Sequence, residues 1–72
     1  MDSKTKELVK IILVELNNSG PLGILELKTK TNASSYAILE ALDKKLIDIV
    51  DNVNNLSVYA ITTAGEKTLN NE

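Results

Sequence analysis

The chain contains no histidine and no cysteine, so the usual agents of proton transfer near neutral pH and of thiolate attack are missing. Catalysis would fall to Asp, Glu, Lys or Tyr. Glu26, Glu40, Asp43, Asp48 and Asp51 are scattered along the chain and read as solvated surface. No glycine-rich phosphate loop and no metal-ligand spacing is present. The sequence therefore predicts a protein that is not an enzyme and needs neither cofactor nor metal. What remains is binding chemistry. Serines and asparagines can hydrogen-bond, lysines can meet anions, and the only rings are Tyr36 and Tyr59.

These residues sit in 72 positions, enough for one small domain spanning 1–72. A chain of this size buries only about 60% of the surface its unfolded form exposes, so its stability margin is thin. Phe and Trp are absent, and the core must be built from Leu, Ile and Val. All eight basic residues are lysines and the formal charge is −2. No apolar run approaches the ~20 residues that cross a bilayer, and no signal peptide is read at the start. A cytoplasmic protein without a membrane partner is expected.

The elements that position the binding residues can be read in order. Asp2 or Ser3 can cap a first helix from about Ser3 to Asn17. Leu8, Val9, Ile12, Leu13 and Leu16 form its apolar stripe, with Ile11 and Val14 on the flanks. Gly20 offers a left-handed cap and Pro21 stops the helix. A short second helix between Leu22 and Lys30 is expected to carry Ile24, Leu25 and Leu27 inward, with Lys28 and Lys30 outward. Thr31–Ala33 then forms a tight turn in which Asn32 takes the left-handed conformation. Ser34 is the candidate cap of a third helix. Tyr36, Leu39, Leu42 and Leu46 form its apolar face, with Ile38 and Ala41 beside them, and Leu42 is expected to be fully buried against the first helix. After Ile47 the period changes. Two strands, joined by the turn cluster Asn52-Val53-Asn54-Asn55, make a β-hairpin ending in LSVYAIT, Leu56 to Thr62. Thr63-Ala64-Gly65-Glu66 fits a capping box for a last short helix carrying Leu69 back to the core.

Helix, helix, helix, hairpin and short helix in about seventy residues resembles the winged helix-turn-helix domain, and the resemblance covers nearly the whole chain. YAILEALDKKLI, Tyr36 to Ile47, is similar to the recognition-helix pattern of PadR-like, MarR-like and related winged-helix regulators. YAITTAGEKTL, Tyr59 to Leu69, looks like the segment that follows the wing in many of them. One departure is visible: the glycine usual before the Leu-Ile step is absent, and Lys45 stands there, so the third helix is expected to be shortened. The fold class implied is α+β, three helices followed by a two-stranded wing and a short C-terminal helix.

The resemblance implies nucleic-acid work, with the second helix of the pair in the major groove and the wing on backbone or minor groove. The recognition-helix surface would be Ala33, Ser34, Ser35, Tyr36, Ala37 and Glu40, and the wing tip Asn52, Val53, Asn54 and Asn55. None of these is basic, and the chain has no arginine for bidentate guanine reading. Only Lys28, Lys30 and Lys44 could flank a duplex. Glu40, Asp48 and Asp51 would repel phosphates. Small residues on the third helix suit the close approach of a protein instead. Tyr36 could anchor such a contact, although a core ring with its hydroxyl at the boundary is the more ordinary expectation. The sequence thus points to a non-catalytic docking module on a protein partner in a replication or transcription assembly. The alternative is a regulator reading double-stranded DNA with helix three. A monomer, or a weak homodimer through helix one at Ile11 and Val14, is expected.

Overall fold

The computed structural model describes residues 2–71. It is a small α+β domain: α1 (Ser3–Ser19), β1 (Leu22–Gly23), α2 (Ile24–Thr31), α3 (Ser35–Asp43), β2 (Ile47–Val53), β3 (Leu56–Ile61) and α4 (Thr63–Asn70). The strands form one antiparallel sheet in the order β1-β3-β2.

α1 is the central support. The Asp2 carboxylate accepts the Thr5 N–H at 2.7 Å and caps the helix. That bond, stronger to the charged form than to the neutral one, lowers the Asp2 pKa below its ordinary value. Val9, Ile12, Leu13 and Leu16 are buried, as their spacing predicts, and Leu8 packs beside them. The helix runs two residues past the expected end, to Ser19, where Gly20 takes φ +79° and its N–H closes on the Leu16 carbonyl at 3.0 Å. α1 packs against α2, α3, α4 and β3.

β1 was not legible as a strand. Leu22 and Gly23 pair with Tyr59 and Val58, a ladder too short to leave a period in the sequence. It ties the start of α2 to the sheet. In α2, Leu27 is fully buried and Ile24 packs on the core, but Leu25 is 62% exposed. The expectation that Leu25 points inward is corrected: an eight-residue helix has room for only one narrow buried stripe.

The hairpin closes on Asn54 and Asn55, with φ of 52° and 64°. Positive φ at both central residues is what a two-residue type I′ turn requires, and Asn tolerates it. Asn52 and Val53, expected at the tip, belong to β2 and pair with Ser57 and Leu56. The turn is tighter than the Asn cluster suggested because the loop conformation needs only two residues. Pairing shifts register between Ile49 and Asp51, which leaves Val50 as the extra residue of a β-bulge.

α4 is capped by Thr62 rather than Thr63, because the extended backbone of β3 persists to Thr62. The Thr62 hydroxyl accepts the Gly65 N–H at 3.1 Å and donates to the Lys45 carbonyl at 2.7 Å. Gly65 is needed for a steric reason. A Cβ there would lie 2.3 Å from the Leu46 carbonyl oxygen and 2.7 Å from Ile61 Cγ1. Leu46, Ile61 and Leu69 all pack against the core at this end.

Candidate interaction surface

The turn between α2 and α3 is built by two polar side chains and one backbone exception. Asn32 sits at φ 56°, ψ 25°, the expected left-handed conformation, and its N–H bonds the Lys28 carbonyl at 2.8 Å. Thr31 is buried; its hydroxyl donates to the Leu27 carbonyl at 2.6 Å and accepts the Ala33 N–H at 3.2 Å. Ser34 caps α3 by accepting the Ala37 N–H at 3.2 Å. The role of Thr31 was not read from the sequence. A Thr one residue before a left-handed Asn was the available signal.

α3 is rotated from its expected orientation. Ala37, Ile38 and Ala41 are the buried residues, at 0%, 2% and 0% exposure. Leu42 is half-buried against the core rather than fully buried. Tyr36 and Leu39 stand outside, 64% and 62% exposed. The physical reason is distance. Two alanines flanking Ile38 let α3 approach α1 more closely than a row of leucines would. Tyr36 is therefore neither a core ring nor a boundary residue.

Two of the six expected surface residues are corrected, Ala37 by the same rotation and Ala33 by the tight turn before the helix. Ala33, 6% exposed, and Ala37 lie in the core and present nothing outward. Ser34 and Ser35 are exposed, and Glu40 is half-buried. Ser35 receives a hydrogen bond from Lys28 Nζ at 2.6 Å, which joins α2 to the outer surface of α3. Tyr36, Leu39, Glu40 and Asp43 stand at helical positions i, i+3, i+4 and i+7, so they share one face. The surface is thus an apolar pair, Tyr36 and Leu39, edged by two carboxylates. Leu39 escapes a reading from sequence because the largest apolar residues are the ones expected to point inward.

The charges around this face are uneven. α3 carries Glu40 and Asp43 and no lysine. The hairpin from Ile47 to Ile61 carries Asp48 and Asp51 and no lysine. Each of those two aspartates bonds the backbone N–H of its successor, Ile49 and Asn52. Lys30 and Lys44 are exposed and Lys28 is half-buried. The hairpin tip, Asn54 and Asn55, is neutral. Exposed apolar side chains recur on the hairpin at Ile49, Val50, Val53 and Leu56.

Among the described residues no group of His, Cys, Asp or Glu could hold a metal ion, and no helix is long and apolar enough to cross a membrane. Comparison with protein-family models, with curated proteins and with solved structures gives no match to this chain.

Proposed function

We propose that this chain is a non-catalytic winged-helix module of DNA-handling machinery, and that it docks on a protein partner through the outer face of α3. The observation that carries the docking reading is the exposed pair Tyr36 and Leu39 on a helix without a basic residue. The winged-helix reading is supported by the helix order, the left-handed turn before α3 and the antiparallel hairpin after it. Tyrosine is enriched in interface hot spots because its ring supplies contact area at little entropic cost. Glu40 and Asp43 at the edge call for a partner whose apolar patch is rimmed by basic groups.

Reading of duplex DNA is the second hypothesis, favoured by the exposed Lys30 and Lys44 and by Lys28 beside Ser35. Three phosphate contacts would give a salt slope near −3, since each contributes roughly −0.9. A titration against random and genomic duplexes at ~150 mM salt separates the two. Docking expects affinity no tighter than the non-specific range of ~10⁻⁴–10⁻⁶ M, and tighter duplex binding after Glu40→Lys. Nanomolar, sequence-dependent binding that is lost in Glu40→Lys would overturn docking and make Glu40 a base reader, with a cytosine amino group as its natural donor.

A further inference from the structure

β2 has β3 on one side and, among the described residues, no strand on the other. The turn decides which of its backbone groups face the open side. In a two-residue hairpin the residues flanking the turn, here Val53 and Leu56, exchange both backbone bonds. Alternation then turns the backbone groups of Ser57 away from β2, those of Val58 toward it and those of Tyr59 away again. Asn52 lies opposite Ser57 and Ile49 opposite Tyr59. The N–H groups of Asn52 and Ile49 therefore point out of the sheet edge. In a regular strand such outward groups recur every second residue. The bulge at Val50 widens the interval here to three.

An outward N–H on an edge strand is the group that an added strand would use. Here both are already taken. The Asp48 carboxylate accepts the Ile49 N–H at 2.9 Å, and the Asp51 carboxylate accepts the Asn52 N–H at 2.8 Å. Each aspartate directly precedes the residue it serves, so the two aspartates keep the same widened interval of three. The carboxylates thus follow the outward amides across the change of register. A charged acceptor strengthens each bond. No lysine stands on the hairpin from Ile47 to Ile61 to draw the carboxylates away. The residues beside them, Ile49, Val50 and Val53, are exposed and β-branched, the composition that suits strand pairing.

We infer that Asp48 and Asp51 are caps on the sheet edge. They hold the outward amides of β2 in hydrogen bonds within the strand, and so keep a second copy of the chain from adding its own β2 there. The caps act on the donors, whereas the bulge acts on their spacing. They share no residue with the α3 surface, so the two readings can fail separately.

Two double variants separate capping from charge. Asp48→Asn with Asp51→Asn removes the charge and keeps a side-chain oxygen that accepts. Asp48→Ala with Asp51→Ala removes both. Amide exchange of the dilute protein, followed by NMR, is the first readout. The Ile49 and Asn52 N–H groups should exchange about 3- to 10-fold faster in the alanine variant than in the parent, the range set by a hydrogen bond of ordinary net strength. In the asparagine variant they should stay nearer the parent. Sedimentation up to about 1 mM, where the weakest specific contacts are seen, is the second readout. The alanine variant should associate more tightly than the parent, and the same two amides should slow again as it does, now bonded to a second copy. The asparagine variant should sediment as the parent does. An alanine variant that associates no more than the parent overturns the inference, as does one whose two amides exchange at the parent's rate. An asparagine variant that associates like the alanine one assigns the protection to charge and overturns capping. Both aspartates are exposed, so the fold should survive. If the double alanine chain does not fold, Asp48→Ala and Asp51→Ala singly should each speed exchange at the one amide they uncap, and no change there overturns the inference.

Discussion

Lys45 is, among the described residues, the one with positive φ that is neither glycine nor asparagine. Its φ is 60°, a left-handed conformation that a side chain with a Cβ pays roughly 1–2 kcal/mol to adopt. The conformation is imposed by the end of α3. The Lys45 N–H reaches the Leu42 carbonyl at 3.0 Å and the Leu46 N–H reaches the Ala41 carbonyl at 2.9 Å. These are the two bonds of a Schellman ending, whose reversal point is normally glycine. Lys45→Gly removes the strain but gives the unfolded chain more freedom, an offset of about 0.4–1 kcal/mol. The expected outcome is a gain of up to about 1 kcal/mol in urea unfolding. A loss of stability would show that the lysine side chain contributes more than its backbone strain removes. At Asn32, also left-handed, the same exchange should do less, because Asn carries a smaller penalty. The missing glycine was visible in the sequence; that its backbone geometry persists without it was not.

At the scale of the element, α3 shows where periodicity stops being informative. Tyr36, Ala37, Ile38, Leu39, Ala41 and Leu42 leave little polar surface on any side. A helix apolar nearly all round gives no stripe from which to choose the inward face. The caps fared differently. Asp2, Ser34 and Asn32 act as their local chemistry dictates, because a cap is decided within a few residues, and the cap of α4 falls one residue early, at Thr62. α1 was legible for a related reason: its lysines and glutamates mark the wet side. The rotation of α3 has a sharp consequence. Ile38→Ala should cost about 2–5 kcal/mol, the usual range for truncating a fully buried aliphatic residue. Leu39→Ala, one position on, should stay within about 0.5 kcal/mol. Paired melts of the two variants check this, and equal losses would put Leu39 in the core.

For the whole molecule, the fold depends on a few places where elements meet at backbone distance. Gly65 is the clearest, with Leu46, Ile61 and Leu13 all within 3.2 Å of the position a Cβ would take. α1, β3 and α4 converge there with the segment leaving α3. A backbone carbonyl cannot turn aside as a flexible side chain can. Gly65→Ala should therefore cost about 1–3 kcal/mol or more through overpacking, although Ala is the better helix former. In a domain whose total is about 5 kcal/mol at the low end of the normal range, that is a large share. Calorimetry would show it as a lower melting temperature with α4 frayed or detached. An unchanged melt would mean that α4 is not held at this point.

The bulge at Val50 bears on what happens when many copies meet. β2 is an outer strand of the sheet, and its exposed residues include Ile49, Val50 and Val53. A regular strand of that composition would be a template on which further chains could add, each new one offering the same edge to the next. The extra residue bends the strand and breaks the row of evenly spaced backbone groups, while Asp48 and Asp51 place charge along it. Deleting Val50 would let Ile49 and Asp51 run on in unbroken register opposite Tyr59 and Val58. The shortened chain should still fold, yet seed fibres in concentrated, agitated solution where the parent stays clear, as a thioflavin time course would record. If both remain clear, the aspartates alone are enough to keep the edge from propagating.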